Sequence, residues 1–188
     1  MGDLRKYLEQ YFIVSDKDWS YINSKLSLVN CVKNEILTLP DVVEVKVYFV
    51  LEGIIRLYYE GESRDVTINF GFPNSFISSY SSFLTSKPSE FKLEASIKAQ
   101  LLALKKEDLE RIYLNTTCGN ALGRLFSEQQ FLYHSQRETD FMTLSPTERY
   151  LDLFENQPLL IKEIPLKYLA SYVGVTPQAL SRIRAKIS

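Results

Sequence analysis

Pro165-Leu166-Lys167-Tyr168-Leu169-Ala170-Ser171-Tyr172-Val173-Gly174-Val175-Thr176-Pro177-Gln178-Ala179-Leu180-Ser181-Arg182-Ile183-Arg184 is the stretch from which the rest of the chain is read. Residues 165–173 predict a short helix with proline in its first turn, where the missing amide has no helical partner to lose. Gly174 follows, and glycine adopts positive φ at little cost, as a tight turn between helices requires. Thr176-Pro177 repeats the cap-then-proline start, so residues 178–187 predict a second helix. Ala170 is small where two helices cross closely, while Val175, Leu180 and Ile183 supply an apolar face that locks the second helix onto the first. A small residue, a turn glycine and branched apolar residues at these offsets form a helix-turn-helix pattern.

With that face inward, Thr176, Gln178, Ser181, Arg182 and Ala185 point outward. Glutamine is suited to adenine, arginine to guanine or phosphate, and a helix N-terminus offers backbone amides to phosphate. Lys167, Arg184 and Lys186 are expected at the flanks, on phosphates. The charge distribution agrees. Residues 164–188 hold Lys167, Arg182, Arg184 and Lys186 and no acid, so this tail is +4 while the net −1 leaves −5 for the remainder. A basic tail on an acidic body is a footprint of local phosphate binding.

Upstream, Ser145-Pro146-Thr147-Glu148 predicts a clean helix start, with a hydroxyl cap, proline first and glutamate at the third position. That helix ends before Pro158. Residues 118–142 predict a long helix whose apolar positions include Leu122, Leu125, Phe126, Leu132 and Tyr133, interrupted by Gln129 and Gln136. Two readings are open for it: a helix packed on its own domain, or one that also pairs with its copy in a homodimer. On the second, Leu122, Leu125, Phe126 and Leu132 form the two-fold interface. Residues 106–114 predict a shorter helix.

Between residues 26 and 104 the texture differs. Segments 45–51, 54–59, 66–70, 91–95 and 100–104 are rich in β-branched and aromatic residues, and Pro40-Asp41, Gly53, Gly61 and Gly71 punctuate them. Short, closely spaced strands without helical patterns between them predict an antiparallel barrel or sandwich. The N-terminus predicts short helices, one capped at Ser15 with Asp18 three residues on and one with Tyr7, Leu8, Tyr11 and Phe12 on its apolar face.

The tail just quoted resembles the C-terminal end of the Crp–Fnr transcription regulators, and is closest to their short-tailed, Bacteroidetes-like branch. Tyr48-Phe49-Val50-Leu51-Glu52-Gly53 with residues 54–59 resembles the family's β-roll. Asn74-Ser75-Phe76-Ile77-Ser78-Ser79-Tyr80-Ser81-Ser82-Phe83 stands where its cyclic-nucleotide cassette belongs. The resemblance implies an α+β chain in three parts. These are an N-terminal antiparallel jelly roll with flanking helices (1–117), a long dimerisation helix (118–143) and an all-α helix-turn-helix domain (144–188). It implies double-stranded DNA, a second copy of the chain and RNA polymerase as partners.

Two departures from the family matter. Members that bind cyclic nucleotides carry a Gly-Glu pair for the ribose and an Arg-Ser/Thr pair for the phosphate. Here the aligned positions are Ser78-Ser79 and Ser89-Glu90. A phosphate site without its arginine, and with Glu90 beside it, repels the anion. Cyclic nucleotides are therefore not expected in the usual mode. A different small ligand held by Ser78, Ser79, Tyr80, Ser81, Ser89 and Glu90, or a ligand-free constitutive regulator, stays open. In the second helix Arg182 matches the family's base-reading arginine, but Pro177 and Gln178 replace an Arg-Glu pair, so a different operator is expected. The chain closing at Ser188 leaves fewer elements for phosphate contacts.

Other classes fit less well. His134 is the only histidine, too few for a cupin metal site, and no phosphate loop, nucleophile elbow or His/Cys pair is present. No enzyme, metal site or cofactor is expected. Cys31 and Cys118 read as buried free thiols. No apolar run approaches the roughly 20 residues of a membrane span, and the N-terminus lacks a signal's apolar core, so a cytoplasmic protein is expected. The rival is a protein-interaction module whose helix-turn-helix meets a protein partner.

Overall fold

A computed structural model describes residues 2–187; the outermost positions of the first and last expected domains, Met1 and Ser188, lie outside the described residues. Two helices open the chain, α1 (Gly2–Leu8) and α2 (Asp16–Lys25). Strands β1 (Ser27–Cys31), β2 (Ile36–Thr38), β3 (Lys46–Glu52), β4 (Ile55–Tyr59), β5 (Val66–Gly71) and β6 (Phe76–Ile77) follow. A short helix α3 (Tyr80–Thr85) precedes β7 (Lys92–Ala95) and β8 (Ala99–Lys105). The remainder is helical: α4 (Lys106–Asn115), α5 (Gly119–Thr143), α6 (Pro146–Asn156), α7 (Pro158–Glu163), α8 (Leu166–Val173) and α9 (Pro177–Ile187). None of the described helices is long and apolar enough to cross a membrane.

The strands form two four-stranded sheets, in the orders β1-β8-β3-β6 and β2-β7-β4-β5, so the expected antiparallel roll is the observed one. Crossover orders of this kind are those of a jelly roll rather than a meander. Tyr48, Phe49 and Val50 of β3 stand opposite Ala103, Leu102 and Leu101 of β8. β3 is buried along four consecutive residues instead of alternating. Val47 and Phe49 join the core made with the flanking helices, so both faces of this strand are covered. Between β3 and β4, Gly53 turns the chain at φ 91°, and a Cβ there would lie 2.5 Å from the Lys98 carbonyl oxygen.

By packing, the described residues form two compact units, residues 2–57 with 70–130 and residues 58–69 with 131–187.

In the first unit an aromatic chain links elements distant in sequence. Tyr7 of α1 meets Phe49 of β3 at 5.2 Å, Phe49 meets Phe76 of β6 at 5.0 Å, and Phe76 meets Phe126 of α5 at 5.2 Å. Tilted and edge-on pairs at these separations contribute beyond the area they bury. Leu8, Ile22, Leu102, Ile112, Leu122 and Leu125 complete this core. Ser15 caps α2 by accepting from the Asp18 amide, as expected, but the Asp18 carboxylate bonds Thr117 instead of closing the box. Cys31 and Cys118 are both free and buried, as expected.

In the second unit Ser145 forms a complete capping box with Glu148 at the start of α6. The guanidinium of Arg149 donates to the Val173 carbonyl at the end of α8, at 3.0 Å. Helix α7 was not expected; Pro158 starts it rather than merely ending α6, because proline is tolerated in a first turn.

Candidate nucleic-acid interface

Helices α8 and α9 pack through Leu169, Ala170, Val173 and Leu180, each at most 1% exposed. Ala170 is where the crossing needs a small side chain, as the sequence predicts. Gly174 then takes φ 84°, ψ 32° and donates to the Ala170 and Ser171 carbonyls, while the Val175 amide donates to the Ala170 carbonyl at 2.9 Å. This double closure is a Schellman end, which satisfies carbonyls that a helix terminus leaves orphaned. A Cβ on Gly174 would stand 2.5 Å from the Phe141 ring. Glycine is required here both by the dihedral and by that close approach.

Thr176 begins α9. Its hydroxyl accepts from the Ala179 amide at 3.2 Å and its carbonyl from the Leu180 amide at 3.0 Å. Its side chain therefore caps the helix, a structural task beside the DNA contact expected of it. Leu180 is fully buried, while Ala179 and Ile183 are half-buried. Gln178, Ser181, Arg182 and Ala185 are exposed, at the three- and four-residue spacings that place them on one face. Arg184 and Lys186 in the last turn are exposed too, and Lys167 on α8 is exposed with its ammonium 4.7 Å from the Tyr168 ring centre. The structure thus brings the predicted polar set onto the outer side of one short helix and its flank.

What holds these helices involves residues that the sequence reading passed over. The Ser171 hydroxyl donates to the Asp65 carbonyl at 2.9 Å and accepts from the Thr67 amide at 2.8 Å. Arg137 lies over the Tyr172 ring at 3.9 Å and donates to the Tyr172 carbonyl at 2.8 Å. Tyr133 bonds the Tyr172 hydroxyl at 3.0 Å. Burial and the neighbouring Tyr172 hold the Tyr133 phenol well above its ordinary value, so it stays protonated and able to donate. Arginines and tyrosines in an amphipathic helix carry no local signal of such roles.

The predicted ligand residues in the roll do not converge on an open site. Ser79 and Ser89 are buried and bond each other at 2.7 Å. The Ser78 hydroxyl donates to the Lys46 carbonyl, and Tyr80 bonds Ser127 at 2.7 Å. Ser81 and Glu90 face solvent. Hydroxyls engaged in this way have little capacity left for a ligand.

The predicted dimer residues divide. Leu122, Leu125 and Phe126 are 4–7% exposed and sit in the core of the first unit, whereas Leu132 is 64% exposed. This corrects the expected interface, because the first half of α5 turns its apolar stripe onto its own domain and none of those three is open to a partner. Phe131 and Met142, which the sequence reading did not single out, are 71% and 73% exposed. His134 is exposed on the same helix, edge-on to Tyr133.

No family model matches the sequence, and none of the curated proteins does. Solved structures do match. FixK2 from Bradyrhizobium japonicum aligns with TM-score 0.72 and 17% identity, over 86% of this chain and 84% of that one. The global regulator CLP of Xanthomonas campestris, described as responsive to c-di-GMP, aligns at 0.69 with 16% identity over 92% and 91%. A crp/fnr-family transcriptional regulator from Eubacterium rectale aligns at 0.70 with 16% identity over 94% and 87%. The fold is that of the Crp–Fnr regulators. The alignments span nearly the whole chain, so the Crp–Fnr fold accounts for both the β-roll and the terminal helices. Of these, CLP is described as a global regulator and the Eubacterium rectale protein as a transcriptional regulator.

Proposed function

We propose that the chain is a sequence-specific DNA-binding transcription regulator of the Crp–Fnr type, acting as a homodimer in the cytoplasm. The observation that carries this reading is the outer face of α9: Gln178, Ser181 and Arg182 exposed together, with Lys167, Arg184 and Lys186 beside them and no acid from residue 164 onward. Arg182 and Gln178 read base edges in the major groove, and the flanking cations contact phosphates. Residues 1–117 are the roll, 118–143 the dimer helix and 144–188 the DNA-binding domain. Dimerisation uses Leu132 with Phe131 and Met142 on the exposed side of α5, in place of the buried leucines. Double-stranded DNA, a second copy and RNA polymerase are the partners. The roll does not take cyclic nucleotides in the usual mode, because its phosphate position holds Ser89-Glu90 and its hydroxyls bond one another.

Selection from random duplexes with the purified protein tests the reading. Enrichment of an inverted repeat, with half-sites about one DNA turn (about 34 Å) apart, is the expected result. An unenriched pool would favour a protein partner for the same helices.

A further inference from the structure

The outer face of α9 mixes two chemistries. Gln178, Ser181 and Arg182 are exposed, and their side chains make no hydrogen bond or ion pair among the described residues. Pro177 and Ala185 are exposed on the same face and carry no polar side-chain atom. With 3.6 residues to a turn, steps of four set Pro177, Ser181 and Ala185 in one row and Gln178 and Arg182 in the row beside it. The opposite side is occupied by the fully buried Leu180.

The first turn is poor in donors as well. Pro177 has no amide, and the amide of Ala179 is taken by the Thr176 hydroxyl at 3.2 Å. A pyrrolidine ring therefore stands where a helix start commonly offers donors to an anion. Of the two apolar residues, Pro177 is the one in the turn that a helix-turn-helix leads into the major groove. Gln178 follows it directly and Ser181 lies one turn on, so a base pair within reach of Gln178 has the ring beside it. Carbon pressed onto a polar base edge strips water from donors and acceptors without replacing it. The groove edge of a base pair offers one apolar group that escapes this cost, the 5-methyl of thymine.

We propose that Pro177 is a specificity-determining residue that selects a thymine by its 5-methyl group, next to the base read by Gln178. The inference rests on the reading of α9 as the base-reading helix, and adds the chemistry of one position in the half-site. Pro177 favours thymine by burying the methyl. It disfavours a G·C pair, which has no methyl and whose donors and acceptors would lose water without gaining partners.

Titration of the full chain with a duplex recovered by selection tests this, with deoxyuridine placed at each half-site thymidine in turn. Deoxyuridine keeps the hydrogen-bonding edge and loses only the methyl. One position should weaken by about fourfold per half-site, the worth of one buried methyl. With Pro177→Ser, thymidine and deoxyuridine should bind alike at that position, while other positions respond as in the parent chain. Pro177→Ala, which keeps a single methyl and suits a first turn, should show the same convergence in weaker form. A duplex with no deoxyuridine-sensitive position, or a sensitivity undiminished in both variants, would overturn the proposal and leave the regulator reading standing. An unenriched pool would overturn the regulator reading and this inference with it.

Discussion

The proposed base reading rests on Arg182. It is exposed one turn after Gln178, on a helix whose opposite side is pinned by the fully buried Leu180. Arg182→Ala should cost about 1–3 kcal/mol at the preferred sequence and relax discrimination there, measured by competition among variant sites. Gly174 makes a different prediction. Gly174→Ala forces a Cβ into φ 84° and to within 2.5 Å of Phe141. The left-handed dihedral alone costs about 1–2 kcal/mol, so a lower thermal midpoint and weaker DNA binding should appear together. These residues were legible because their constraints are local: a cap, a proline or a positive φ is written within four residues of where it acts. Ser171 and Arg137 were not, because their partners lie elsewhere in the chain. Ser171 bonds backbone 104 and 106 residues away, and Arg137 bonds Tyr172 35 residues on.

At the scale of elements, α5 separates what periodicity conveys from what it does not. Its extent was legible, expected at 118–142 and found at Gly119–Thr143. Which side of it meets the roll was not, since an apolar stripe packs equally well on its own domain or on a copy. The stripe of Leu122, Leu125 and Phe126 is buried, so Leu125→Glu should unfold the first unit. Phe131→Glu with Leu132→Glu should leave the fold intact and give a monomer by light scattering; a persisting dimer would place the interface elsewhere. Strands β1 and β6 escaped the sequence reading because one mixes polar with apolar residues and the other is two residues long. At the end of α4, the Thr117 hydroxyl and amide hold the Asp18 carboxyl below its ordinary range. A depressed carboxylate contributes stability above its unfolded pKa, about 4, and loses it as pH falls through the folded value. Thr117→Val should therefore lower the thermal midpoint at pH 7 and show a smaller further drop on acidification below about pH 4 than the parent chain. Parallel curves for the two would contradict that assignment.

For the molecule as a whole, the fold was legible mainly from its tail, where the cap, glycine and apolar register admit one arrangement, and the roll followed from strand texture. Glu90 at the phosphate position and the Ser79–Ser89 bond predict no saturable calorimetric signal with cyclic AMP or cyclic GMP. The central claim is that α9 binds duplex DNA through its exposed basic face, and a salt titration on the selected duplex tests it most directly. Log affinity should fall linearly with log salt for the parent chain, with a slope set by the phosphates it neutralises. Lys186→Ala should flatten that slope by about one unit per subunit contact while weakening all sequences alike, whereas Arg182→Ala should weaken the preferred site above others. Affinity that ignores salt, or a slope and specificity unmoved by either substitution, would contradict the account.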